Sequence, residues 1–482
     1  MPLFSEIENE YKKAMLESPY RAAAEKLINP RVFKGFEMSL KTFSPEVIED
    51  LQAENAHVTR YSKFMGELAF EFEGKKMPLS VLRGKLEDDS RDVRRKAAEA
   101  IGRTMEANAD TFDEIFDGLV KIRTQIACKL GYKNFVELGY YRMGRVDYDE
   151  KMVAAFRKSV ETDIVPAVAE LKERIRNRLG LDKIMYYDDA ISVTGEMPRP
   201  VIGTDEIFAN ALKMYNDMKP EIGDFMQRML DAEAFDVEAR DGKFGGGYCT
   251  TFAKYKQPFI LANFNGTSGD IDVITHEFGH ALAADYMFKF AEPDYPTGME
   301  THECHSMSME FLCHKWMEDF FGGFADKYRY KHTADALSFI PYGVIVDEFQ
   351  HLVYENPDLT PDERKSEYLK LEKKYRPYLS FEGIPYLEKG TRWQYQMHIF
   401  ESPFYYIDYC LAQCVALGFL SLSRENADSA LSKYVDFMKS TGSISFASLV
   451  ENAGLQSPFL ENSLQKTAET AKTVLFEMEK QL

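Results

Sequence analysis

His276-Glu277-Phe278-Gly279-His280 is the stretch from which the rest of this 482-residue chain is read. On a helix, residues four apart lie on one face one turn apart, so the two imidazoles can point at a single ion. Imidazole nitrogens suit Zn²⁺, and two of them with one carboxylate leave a fourth position open, the pattern of a catalytic site. Glu277, beside the two histidines, supplies a general base. The flanks read as helix: Asp270 and Asp272 form an acidic first turn after the loop Asn265-Gly266-Thr267-Ser268-Gly269, and Ala281-Leu282-Ala283-Ala284 are strong helix formers. Gly279 inside that helix costs about 1 kcal/mol against Ala. Such a loss implies that something approaches its backbone closely.

A third ligand is required. Tyr286 stands where a third histidine would follow in one variety of this motif, which closes that branch. Glu292-Pro293-Asp294-Tyr295-Pro296 breaks the helix, and Thr297-Gly298-Met299-Glu300 has the spacing of a capping box that starts another. Two helices joined so briefly pack antiparallel, which brings Glu303, in the early turns of the second, back to His276 and His280. Ser306, Met307 and Glu310 share the face of Glu303. Glu310 is a candidate to hold a ligand imidazole in place, the alternative being a solvated charge.

The run His276-Glu277-Phe278-Gly279-His280-Ala281, followed by Glu303-Cys304-His305-Ser306-Met307-Ser308-Met309-Glu310, resembles the thimet-oligopeptidase and oligoendopeptidase F family of zinc peptidases, and most of all its oligoendopeptidase F branch. The resemblance covers roughly residues 60 to 482. Supporting segments are Gly245-Gly246-Gly247-Tyr248-Cys249, Phe264 to Asp270, and Tyr342 to Gln350. Ala283 stands where some members have an additional histidine, and members commonly carry more chain ahead of the matching part. The resemblance implies a mainly α-helical body of two lobes with a deep central cleft, one zinc ion held by His276, His280 and Glu303, and action on short peptides.

Composition sets the outer limits. Lys and Arg number 59 against 78 Asp and Glu, a net charge of −19, which argues against nucleic acid or anionic lipid as partner. Hydrophobic residues make up 45% and charged residues 28%, ordinary for a soluble protein able to bury a sizeable core. The start, Met1-Pro2-Leu3-Phe4-Ser5-Glu6-Ile7-Glu8, lacks the pattern of a signal peptide. The longest apolar stretch, Cys410 to Leu422, is too short and interrupted to span a bilayer and reads as a buried helix. Six scattered cysteines read as reduced thiols in a cytoplasmic protein; Cys410 and Cys414, one helical turn apart, read as core.

Residues 1 to 200 show mostly helical periodicity, with starts at Ser44-Pro45-Glu46-Val47, at Asp89-Ser90-Arg91-Asp92 and at Tyr148-Asp149, the last helix ended by Gly180. Their one histidine, His57, reads as a surface or core residue rather than a ligand. The resemblance implies that residues 1–200 form a helical lobe walling the cleft, and 201–482 the catalytic lobe. From Lys243 to Phe264 the period changes to β, so a hairpin is expected beside the zinc helix. Consecutive glycines there make either a flexible loop or a bare edge that an extended peptide can join. With the resemblance, the edge is favoured, and Gly246, Gly247 and Tyr248 become substrate-binding candidates. Asp347, Glu348 and His351 read as a structural network.

The segment His398-Ile399-Phe400-Glu401-Ser402-Pro403-Phe404-Tyr405-Tyr406-Ile407-Asp408-Tyr409 is either an aromatic core helix or a set of neutral donors for an oxyanion. The resemblance assigns the donor role to His398 and Tyr409, with Tyr406 next, the choice among Tyr405, Tyr406 and Tyr409 staying open. The chain is therefore expected to be a zinc endopeptidase with Glu277 as general base. A carboxypeptidase or dipeptidyl carboxypeptidase, with Lys389 or Arg392 recognising a free C-terminus, and a catalytically dead peptide-binding scaffold are the alternatives. Oligomeric state cannot be read from the sequence.

Overall fold

The computed structural model describes residues 2–240, 243, 246–291 and 295–482. It is mainly α-helical, with short strands, as expected. The helix break read at Glu292-Pro293-Asp294 lies outside the described residues, as does Gly245 of the glycine run. Two compact units are distinguished, Met1–Ile191 with Asp294–Gly298 and Phe339–Cys410, and Ser192–Pro293 with Met299–Ser338 and Leu411–Leu482.

In the first unit, α1 (Ile48–Glu67) begins after a 3₁₀ turn at Pro45–Val47, where the Ser44 side chain accepts from the Glu46 amide at 3.4 Å. It packs against α2 (Ala109–Lys129). The helix expected from Tyr148-Asp149 starts at Glu150, capped by the Asp149 side chain, and passes through a π turn at Val160–Ile164 just before Pro166. Proline lacks the amide that would continue the regular ladder.

Membership of the units departs from the single boundary expected at residue 200, because residues 339–410 belong with the N-terminal helices. The physical reason is visible at Arg123 on α2, whose side chain is 1% exposed. It donates to Glu54 Oε1 at 2.7 Å, Tyr354 Oη at 2.8 Å, and the carbonyls of Ile399 at 3.3 Å and Phe400 at 2.5 Å. A buried guanidinium must satisfy its fork of donors, and here the partners come from segments hundreds of residues apart. Tyr61 stacks on Phe400 at 3.9 Å in the same core.

The second unit opens with α3 (Thr204–Met218) and α4 (Pro220–Asp231), then a three-stranded sheet of β1 (Phe235–Glu238), β2 (Tyr248–Phe252) and β3 (Gln257–Phe264). β2 and β3 form the expected antiparallel hairpin, pairing Tyr248 with Leu261 and Thr250 with Phe259. The parallel strand β1 on the far side of β3 is not among the expected strands, although its four residues Phe235-Asp236-Val237-Glu238 alternate apolar and polar side chains. The order β1-β3-β2 leaves β2 at the edge.

From the sheet the chain enters α5 (Gly269–Phe290), where the Asp270 carboxylate accepts from the Asn265 and Gly266 amides at 2.9 and 2.7 Å and closes the entry loop. α6 (Met299–Leu312) lies against α5, followed by the 3₁₀ turn Cys313–Trp316, the long α7 (Ala325–Glu355), and α8 (Ala427–Lys439), which packs on both α5 and α6. The helix Tyr406–Glu425 is by length and composition apolar enough to cross a membrane, longer than the stretch evident in the sequence, yet 67% of its apolar window is buried inside the protein. Cys410 and Cys414 on it are buried, as expected for core residues.

Candidate metal centre and active site

Close approach of α5 and α6 is what builds the site. A Cβ placed on Gly279 would fall 2.7 Å from the His305 carbonyl oxygen and from the Ser306 Cα, so only glycine lets the two backbones lie this near. The reading that something crowds Gly279 is met by the backbone of α6 itself. At that distance Glu303 faces α5, and the ligand atoms of His276, His280 and Glu303 all lie within 4.8 Å of one another. Both Nε2 atoms stand 3.5 Å from Glu303 Oε2, and the two rings are 5.0 Å apart and nearly perpendicular.

Electrostatics favour positive charge at this point. Burial alone would raise the Glu303 carboxyl, but hydrogen bonds from His276 and His280 hold it well below the usual carboxylate range. Burial works against charge on His276, yet its hydrogen bonds to Glu303 and Glu310 outweigh that and raise it well above the ordinary imidazole value. Two imidazole nitrogens and one carboxylate oxygen converging where a cation is stabilised fit a zinc ion. Among the described residues no fourth His, Cys, Asp or Glu joins the group, the arrangement of an open rather than a closed site.

Glu310 is not a solvated charge. Its Oε1 accepts from His276 Nδ1 at 2.6 Å, with a side chain 14% exposed, so it fixes the tautomer of the His276 imidazole. Oε2 accepts from His332 Nε2, also at 2.6 Å. Sequence reading misses His332 altogether. It sits on α7 at no recognisable spacing from the motif, and only the packing of helices brings it in.

Glu277 is buried beside the ligands. Burial raises its carboxyl above the ordinary value, while His276 and His280, and the Cys249 amide on β2, pull the other way. A Cβ on Gly247 would come 3.8 Å from Glu277 Oε1 and 2.9 Å from Val273, so the glycine keeps the space in front of the Glu277 carboxylate clear. Gly246 adopts φ +88° and its carbonyl accepts from Asn263 at 2.8 Å, while Tyr248 begins the edge strand, 42% exposed.

His398, Tyr406 and Tyr409 belong to the first unit and cluster with one another. The His398 ring lies 4.9 Å from Tyr406, 5.8 Å from Tyr409 and 5.7 Å from Tyr405. The Gln396 amide oxygen accepts from Tyr342 Oη at 2.7 Å, so its nitrogen donates to His398 Nδ1 at 2.8 Å. That leaves the His398 proton on Nε2, a donor. Lys389 pairs with Glu106, and Arg392 lies over Tyr342 at 3.8 Å and beside Glu372, so both cations considered for a C-terminal carboxylate are engaged. Asp347 pairs with Arg157 at 2.6 Å and His351 bonds Tyr140 at 3.0 Å, a structural network as read.

The description of peptidase family M3 matches residues 85–469, and that of the M3 N-terminal domain residues 1–43, ahead of where the resemblance was read to begin. Among solved structures, PZ peptidase A with inhibitor 2 superimposes with a TM-score of 0.95 at 45% identity, over 100% of this chain and 86% of that one. A structure given the name oligoendopeptidase F has a TM-score of 0.94 at 44% identity, over 98% and 84%. Oligopeptidase PepF of Bacillus subtilis (strain 168) is 24% identical over 383 residues, 77% of this chain. The match spans about half, 55%, of that relative's length. One family's pattern runs through most of the sequence and an oligoendopeptidase F fold through 98% of it, and the chain belongs to peptidase family M3.

Proposed function

We propose that this protein is a zinc-dependent endopeptidase that hydrolyses short oligopeptides, with His276, His280 and Glu303 holding one zinc ion. The observation that carries the proposal is the convergence of those three ligand atoms within 4.8 Å beside a buried carboxylate. Bound there, zinc supplies Lewis-acid polarisation of a peptide carbonyl and acidifies a water. Glu277 accepts a proton from the attacking water as the new C–O bond forms, then delivers it to the leaving nitrogen as the C–N bond breaks. Its raised affinity for a proton, caused by burial, suits a group that must take one up and give it back.

The donors assigned by family resemblance to the oxyanion are His398, Tyr406 and Tyr409. Burial raises the Tyr406 hydroxyl well above its ordinary value, so it stays a neutral donor. The β2 edge, with Gly246, Gly247 and Tyr248, accepts an extended peptide as an added strand. Six cysteines scattered along the sequence fit a reducing, cytoplasmic setting. Retention of a buried base beside three ligands supports an enzyme over a binding scaffold, which needs no base.

The test is metal analysis of the purified chain combined with product mapping on peptides blocked at both ends. Internal cuts that a chelator abolishes and zinc restores support an endopeptidase. Cleavage confined to free C-termini would replace it with the exopeptidase reading, and zinc-independent cleavage would remove the metal.

A further inference from the structure

Behind the ligand His276, hydrogen bonds run deeper into the second unit than one carboxylate. Glu310 only accepts, so both imidazole nitrogens facing it donate: His276 Nδ1 to Oε1 and His332 Nε2 to Oε2. The other nitrogen of His332, Nδ1, lies 3.0 Å from His314 Nε2. His314 sits in the 3₁₀ turn after α6, and its own Nδ1 is buried without a hydrogen-bond partner. A buried lone pair without a partner costs less than a buried N–H without one. The His314 hydrogen therefore sits on Nε2 and is donated to His332 Nδ1, and every hydrogen in the row points toward Glu310.

The rings are held as well as bonded. His332 lies edge-on to Phe311 at 4.7 Å and stacks on Tyr328 at 5.7 Å, and the Tyr328 hydroxyl is anchored on Asp272 Oδ1 at 2.6 Å. The Arg329 side chain donates to the His314 carbonyl at 2.7 Å, tying the turn to α7. Three elements, α5, α6 and α7, thus meet at one carboxylate.

We propose that His332, oriented by His314, is a positioning residue for the metal centre. It fixes the Glu310 carboxylate, which in turn fixes the tautomer and tilt of His276, so that the Nε2 lone pair faces Glu303 and His280. This rests on His276 being a metal ligand. Without His332, Glu310 Oε2 loses its donor in a pocket where water is scarce, and the carboxylate turns to find another. The His276 Nδ1 bond then bends with it.

The test is zinc affinity of the full chain, measured by competition with a chromogenic chelator, together with the visible spectrum of the cobalt-loaded protein. His332→Phe keeps the ring and removes both nitrogens. It should weaken zinc about tenfold, the low end of the range for outer-shell partners, and change the cobalt bands. His332→Gln, whose amide nitrogen reaches the position of Nε2, should recover most of the affinity, whereas His332→Asn should not. Should His332→Phe fail to fold, the Gln and Asn pair carries the comparison. Equal affinity in Gln, Asn and wild type, or an unaltered His332→Phe, overturns the proposal. A wild-type chain that binds no zinc would overturn the metal reading itself, and His332 with it.

Discussion

Gly279→Ala is the sharpest test of how this site is assembled. The added methyl would sit 2.7 Å from the His305 oxygen and the Ser306 Cα, and 3.1 Å from the His305 carbonyl carbon, all backbone atoms of α6. Carbon atoms rest about 3.5–4.0 Å apart, so the two helices must part by about 1 Å at the level of Glu303. Metal–ligand distances tolerate about 0.2 Å, several times less than that displacement. Overpacking costs about 1–3 kcal/mol, against about 1 kcal/mol gained from replacing glycine within a helix. The expected result is a folded chain, destabilised by up to about 2 kcal/mol, whose zinc affinity falls on the order of 10–100-fold. Chelator competition reads the affinity and thermal unfolding of the metal-free chain reads the stability. Gly66→Ala is the control, since Gly66 lies in α1 with no atom within 4 Å of the new methyl, and it should leave zinc binding untouched. Zinc binding within about threefold of wild type in Gly279→Ala would mean that the α5–α6 contact does not set the ligand geometry.

Glu277→Gln should keep zinc while lowering turnover by about 10²–10⁴-fold; near-normal cleavage by the metal-loaded variant would take Glu277 out of the mechanism. Glu303→Ala should lose metal on dialysis, and unchanged zinc content would disqualify it as a ligand. Burial would raise the Glu54 carboxyl, but Arg123 and Arg142 lower it below its ordinary value. A depressed carboxylate adds stability that is complete above its unfolded value, about 4.3, and is lost as pH falls through the folded value. Glu54→Gln should therefore be less stable at neutral pH than wild type, by about 3–5 kcal/mol for a broken buried pair, and its unfolding free energy should fall less steeply below about pH 4.3. Parallel acid limbs in the two proteins would show that Glu54 does not titrate with folding.

What the amino-acid order determined by itself lies within single elements. His276 and His280 share a face, with Glu277 beside them, because a helix repeats every 3.6 residues, and the β2–β3 hairpin follows from two β-favouring runs around a turn segment. The glycine at 279 even announces a close neighbour, since its cost in a helix needs a reason. Glu303 was reachable only by assuming that two helices with a short join pack antiparallel, and Glu310 followed from sharing its face.

Tertiary structure decided the rest. His332 meets Glu310, and His314 meets His332, because α7 and the turn after α6 pack where no local period points. Arg123 gathers Glu54, Tyr354, Ile399 and Phe400, which places residues 339–410 with the N-terminal helices and not in a separate C-terminal lobe. Periodicity encodes which side chains share a face, but not which face meets which. That choice is made by burying charges with their partners and by interlocking side chains, and both depend on the whole chain being in place.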